Sequence, residues 1–234
     1  MAVSPIKAAA DVLDRADELL KLDVAGTPIG TREDLRRQAW VMGIAAIDTY
    51  LHWAVHRVDL NGNLPKELRN TEVPLSDLVE MARSSVSARQ KTPTTSKALK
   101  PATTANAVKA TRPAKAAKVA PQNFRPTVRV RNALHRAILK QTFQGQRNVR
   151  TALKMLGVHD CWKAIGGITG EAPGQVTGRL DSLTKRRNLI AHEGDIERQS
   201  RPRKIKRHPI DGITVADTLL WVRTFITAMD TLVP

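Results

Sequence analysis

The sequence predicts an all-α protein. Three observations carry that expectation. Apolar residues recur at three- and four-residue steps over most of the chain. Residues that start and stop helices bracket those stretches, and no run alternates as strands do. Aromatic residues are only 3% of the 234, so the core must rest mostly on Leu, Ile, Val and Ala.

Ser4-Pro5 has the form of an N-cap followed by proline at the first helical position. The stripe Val12, Leu13, Ala16, Leu19 and Leu20 follows, and Gly26-Thr27-Pro28 with Gly30 breaks the chain. Thr31-Arg32-Glu33-Asp34 has the form of a capping box and predicts a second helix to about Arg57. Its stripe is Leu35, Ala39, Met42, Ala46, Tyr50, Trp53 and Val58, widened by Ile44, Ile47 and Leu51 into a central helix. A third helix is expected from Pro74 or Leu75 to about Arg89.

Residues 91–121 are almost wholly Ala, Lys, Thr and Pro, a composition that builds no core and predicts a disordered basic linker. The helical pattern returns from Arg129 to about Leu156. Cys161 to Ile165 reads as a short helix stopped by Gly166-Gly167. Val176 opens a helix towards His192, with Leu180, Leu183, Leu189 and Ile190 as core candidates and Gly194 as its cap. Residues 197–212 form a second basic loop. Asp211 or Thr214 starts the last helix, whose stripe is Val215, Leu219, Val222, Phe225, Ile226, Met229 and Leu232. The expected organisation is an N-terminal helix and turn over 1–30, bundle segments over 31–90 and 123–234, and the basic insertion over 91–122 between them.

Several function classes drop out. The single Cys161 excludes an intramolecular disulfide framework and a cysteine-based zinc site. No apolar signal region or membrane-length window is visible, which predicts a cytoplasmic protein with no membrane partner. His52 and His56 have the i, i+4 spacing of metal ligands, but no third ligand is apparent, so neither metal nor cofactor is expected. There is no glycine-rich phosphate loop, Ser-His-Asp arrangement or paired-carboxylate signature.

The net charge of +16 is unevenly placed. Residues 81–159 hold 17 Lys and Arg and no Asp or Glu, while the rest of the chain is nearly balanced. A field of one sign attracts polyanions, and nucleic acid is the commonest of these in a cytosol.

The chemistry concentrates in TKRRNLIAHEGD, residues 184–195. An arginine forks onto phosphate, and a histidine exchanges protons near neutral pH. Arg187 beside His192 is therefore the pairing that cleavage of an RNA phosphodiester needs. The 2′-hydroxyl attacks phosphorus, a base takes its proton, and positive charge stabilises the transition state. The same residues could instead complement the negative end of a helix dipole. Five helical residues also separate the two side chains by about 140°. The helix end must distort, or a second subunit must complete the site.

Arg187-Asn188-Leu189-Ile190-Ala191-His192 resembles the motif of the HEPN superfamily. The continuation Glu193-Gly194-Asp195 and the helix around Ala45 to Leu51 resemble its RiboL-PSP-HEPN branch. The resemblance implies an up-down four-helix bundle, a homodimer and metal-independent RNA cleavage, in a toxin or defence effector that an antitoxin would restrain. It gives Arg187 the phosphate role, Asn188 the polar role and His192 the acid–base role. Gly194 stands where nucleotidylated HEPN toxins carry tyrosine, so that regulation is not implied.

Lys185, Arg186, Arg203, Lys204, Lys206 and Arg207 are candidate RNA contacts. Asp48 is a candidate to orient Arg187 or a catalytic group, or it is a solvated polar residue. The competing expectation is a non-catalytic helical protein that binds nucleic acid or a partner. In that protein, loss of the His192 imidazole would cost nothing.

Overall fold

The computed structural model describes residues 3–59, 64–76, 79, 126–198, 200 and 203–234. Among them every regular element is a helix, apart from one isolated bridge between Ile196 and Arg207. The helices are α1 (Pro5–Lys21), α2 (Ile29–His56), α3 (Lys66–Arg69), α4 (Pro126–Leu139), α5 (Gly145–Met155), α6 (Cys161–Thr169), α7 (Pro173–Glu193) and α8 (Gly212–Leu232). None is long and apolar enough to cross a membrane.

Contacts divide the chain into two units. Met1–Glu72 with His135–Pro234 form one, and Val73–Leu134 the other. The basic stretch 91–121 and most of the helix expected over 74–89 lie outside the described residues. The first unit carries the whole of α1, α2, α3, α5, α6, α7 and α8.

Its axis is α2, which packs against α1, α5, α7 and α8. The reason is in its residues. Trp40, Gly43, Ile44, Ala46, Ile47, Tyr50, Leu51, Ala54 and Val55 are buried and point in several directions, so the helix is wrapped rather than covered on one face. The Trp40 indole N–H donates to the Leu183 carbonyl of α7 at 3.2 Å. Gly43 lets α8 approach closely, since a Cβ there would stand 2.8 Å from Leu219 Cδ2.

Contacts at the helix ends give the directions. Arg57, just past α2, donates to the Val3 carbonyl ahead of α1, so these two run antiparallel. Arg36 donates to the Ile210 carbonyl ahead of α8, while Tyr50 and Asp230 line one cavity at the opposite ends of α2 and α8. Those two helices therefore run parallel. Arg37, near the start of α2, meets Asp195 just past the end of α7, so α7 runs antiparallel to α2.

Several boundaries differ from the sequence expectation. Ser4 does cap α1, accepting from the Lys7 N–H at 3.3 Å, and Asp211 caps α8 through Thr214. But α2 begins at Ile29 after Pro28, without a side-chain cap, so Thr31 is already inside it. Glu33 and Asp34 are instead drawn sideways to Arg37. Trp53, expected on the apolar stripe, is 41% exposed. The stretch from Arg129 to Leu156 is two helices, parted near Gly145 at φ 74°. Gly166-Gly167 does not stop α6, which continues to Thr169. Gly166 is needed for packing, because a Cβ there would sit 2.5 Å from the Glu171 carbonyl oxygen.

Candidate functional site

The motif occupies the last turns of α7. Val176, Leu180 and Leu183 bury one side of that helix and hold it to the core. The helix stays regular through Glu193 and ends where Gly194 turns left-handed at φ 60°. The Asp195 N–H closes the end on the Leu189 carbonyl at 3.0 Å, and the Gly194 N–H meets the same carbonyl. The helix end does not unwind to bring Arg187 and His192 together.

The offset is narrowed by a side chain instead. Arg187 Nη1 donates to Asn188 Oδ1 at 3.1 Å. Asn188 and His192 are four residues apart, only about 40° around the helix. Asn188 therefore draws the guanidinium of Arg187 towards the stripe that carries Lys185 and His192. The Arg187 Nε is buried without a partner, and a partly desolvated cation binds an anion more strongly than a hydrated one. His192 is exposed, and its imidazole has no partner among the described residues.

A shallow groove of about 440 Å³ follows this stripe, lined by Asp181, Thr184, Lys185, Asn188, Leu189 and Glu193. Its two acids are engaged elsewhere. Asp181 accepts the Gln146 N–H at 2.9 Å, and Glu193 takes both arms of Arg198 at 2.8 and 3.0 Å. A larger cavity of about 730 Å³ lies at the other end of α2 and contains none of the motif residues.

The basic loop after the helix is a hairpin with a defined neck. The Glu197 N–H donates to the Lys206 carbonyl and the His208 N–H to the Asp195 carbonyl, both at 2.9 Å. At the neck and beyond it, Lys206, Lys204 and Arg203 are exposed, with no side-chain partner among the described residues. Arg207 donates to the Gly194 carbonyl at 3.3 Å.

Two candidate residues are placed away from that open surface. Arg186 turns to the packed side, donating to Asp195 Oδ2 at 2.7 Å and to the carbonyls of His208 and Pro209 at 3.3 and 3.1 Å. Asp48 accepts the Phe143 N–H at 2.5 Å and lies 3.6 Å from His52 Nε2. Among the described residues no ion pair joins it to Arg187, so its geometric role is to hold the turn before α5.

The histidine pair of α2 is also drawn into packing. His52 lies against Phe143 with centroids 4.7 Å apart, and His56 stacks on His135 at 3.9 Å. Burial, reinforced by the neighbouring His56 and His52, holds His135 below an ordinary histidine's value. Among the described residues no group of three or more His, Cys, Asp or Glu could hold a metal ion.

Two participants have no assigned role in the sequence reading. Asp195 is fully buried, and Arg37 is buried with it, donating Nε to Asp195 Oδ2 at 2.9 Å. Burial works against the Arg37 charge, but its hydrogen bonds to Asp195 and Glu33 outweigh that and raise it above the ordinary arginine value. Asp195 stands two residues beyond α7, and Arg37 lies 158 positions away from it, so only the tertiary fold joins them.

Comparison with known proteins finds no matching family model, no matching curated protein and no matching solved structure.

Proposed function

We propose that the chain is a metal-independent endoribonuclease of HEPN type, acting through the end of α7. The observation that carries the reading is the Arg187–Asn188 bond at 3.1 Å, which brings a phosphate-binding cation towards the helix face of exposed His192. In this reading Arg187 grips the scissile phosphate and stabilises its developing charge. His192 exchanges the proton of the attacking 2′-hydroxyl or of the leaving oxygen. Asn188 orients Arg187. Lys185, Arg203, Lys204, Lys206 and Arg207 neutralise neighbouring phosphates, and Arg186 serves by holding the loop. The angle remaining between Arg187 and His192 favours a homodimer in which two copies complete each cleft. A toxin or defence role, restrained by an antitoxin and exercised in the cytoplasm, follows from the resemblance of the motif.

The test is incubation of the purified protein with RNA and a chelator. The expected result is cleavage that leaves 2′,3′-cyclic phosphate ends and is lost in His192→Ala. A need for divalent metal would sink the mechanism.

One observation favours a second reading. Among the described residues the His192 imidazole has no partner that would fix its orientation. A protein that binds RNA without cutting it would show RNA affinity unchanged by His192→Ala and no product in the chelator assay.

A further inference from the structure

We propose that Asp195 is the positioning residue of this site, tying the helix end that carries His192 to the neck of the basic hairpin so that both meet one phosphodiester backbone. The inference rests on the RNA reading above and adds the device that joins its two halves.

Asp195 combines two unfavourable features. Its backbone is left-handed at φ 60°, a conformation that Asp and Asn tolerate better than most residues. Its carboxylate is fully out of solvent, which is costly for a charge that is not well paired. The pairing is one-sided: Oδ2 receives both Arg37 and Arg186, while Oδ1 is buried without a partner. Asparagine or glycine would satisfy the backbone, but neither would hold two guanidiniums.

Those guanidiniums reach on to the second strand of the neck. Arg37 Nη2 and Arg186 Nη2 both donate to the His208 carbonyl, at 3.1 and 3.3 Å, and Arg186 adds the Pro209 carbonyl. One carboxylate thus orients two forked donors, and the donors fix the far strand. An apolar contact would hold the hairpin against α7 without setting its register. Planar guanidinium forks set direction as well as distance. The hairpin cations are exposed, whereas its neck is fastened from inside.

The experiment uses Asp195→Asn, which keeps a side chain suited to the left-handed turn and one oxygen acceptor while removing the charge. Binding to a single-stranded RNA oligonucleotide is titrated at several salt concentrations, and amide exchange is followed at Glu197 and His208. The expected result is retained helical circular dichroism, faster exchange at both amides, and affinity lower on the order of tenfold with a shallower salt dependence, as when phosphate contacts are lost.

A rescue arm adds Ile196→Cys and Arg207→Cys in the same Asp195→Asn background. These residues face each other as a pair without mutual hydrogen bonds, the closer-spaced kind that a disulfide can bridge. Cys161 is 1% exposed and does not compete. Oxidation of this protein should raise its RNA affinity, and reduction should reverse the gain. Should Asp195→Asn fail to fold, Arg186→Gln removes only the arm from α7 and is expected to act in the same direction.

Faster exchange with unchanged RNA affinity would make Asp195 a purely structural residue and overturn the proposal. Equal affinity of the oxidised and reduced double-cysteine protein would overturn it as well. A wild-type protein that binds no RNA would overturn the RNA reading itself, a failure distinct from wild-type binding that Asp195→Asn leaves intact.

Discussion

The two sides of α7 treat basic residues in opposite ways. Arg186 turns inward, to a buried carboxylate and two backbone carbonyls. Arg187, its neighbour, is half-buried, with Nε out of solvent and Nη1 reaching the exposed Asn188. Leu180 and Leu183 are buried on the packed side, while Lys185, Asn188 and His192 are exposed on the other. A charge run is therefore not one functional object. By its place in the helix Arg187 lies on the packed side, about 40° from Leu183, and only its guanidinium reaches across to the exposed Asn188.

The sharpest way to break this division is Asp195→Ala. It takes the shared anion from between the buried Arg37 and the partly buried Arg186, leaving Arg37 only the more exposed Glu33 and Asp34. Loss of one partner from such a group costs about 3–5 kcal/mol, to be read by urea unfolding. Leu180→Ala tests the apolar part of the same side. Its side chain is fully buried, and a loss of about 2–5 kcal/mol is expected.

The acid response of a second, half-buried carboxylate extends the test. Hydrogen bonds from Arg36 and then Arg32 hold Asp23 below its ordinary value of 3.8. The stabilisation from that pairing is complete above the ordinary value and is lost as pH falls through the lowered one. Asp23→Asn should remove that part of the acid transition and leave stability less dependent on pH below about 4, as followed by thermal melting.

On the open side the expected stability effects are smallest. His192→Ala should change unfolding free energy by less than about 0.5 kcal/mol, as exposed substitutions do. Its cost should fall on cleavage. Equal loss of stability in His192→Ala and Asp195→Ala would erase the contrast between the two sides.

Much of this was legible in the chain, for reasons specific to each element. Ser4-Pro5 and Asp211 mark helix starts because their capping is local, decided within four residues. Gly194 marks the end of α7 because a left-handed turn favours glycine. The start of α2 was missed because Pro28 and Ile29 carry no cap, and the capping-box residues serve Arg37 instead. Trp53 fits the helical period yet is exposed, because the period says which residues share a face and not which face is covered. Asp48 offered a carboxylate to any partner, and the turn before α5 took it.

The sequence by itself determined that the described residues are helical, where the caps at Ser4, Gly194 and Asp211 fall and which short stretch gathers arginine, amide and histidine. These follow from interactions within a turn or two of chain. The tertiary structure decided that Arg186 is fastened to Asp195 while the half-buried Arg187 reaches Asn188, and that Asp195 joins Arg186 to α2 through Arg37. A buried carboxylate is tolerable only where its cations converge, and those cations come from positions 158 and 9 residues away.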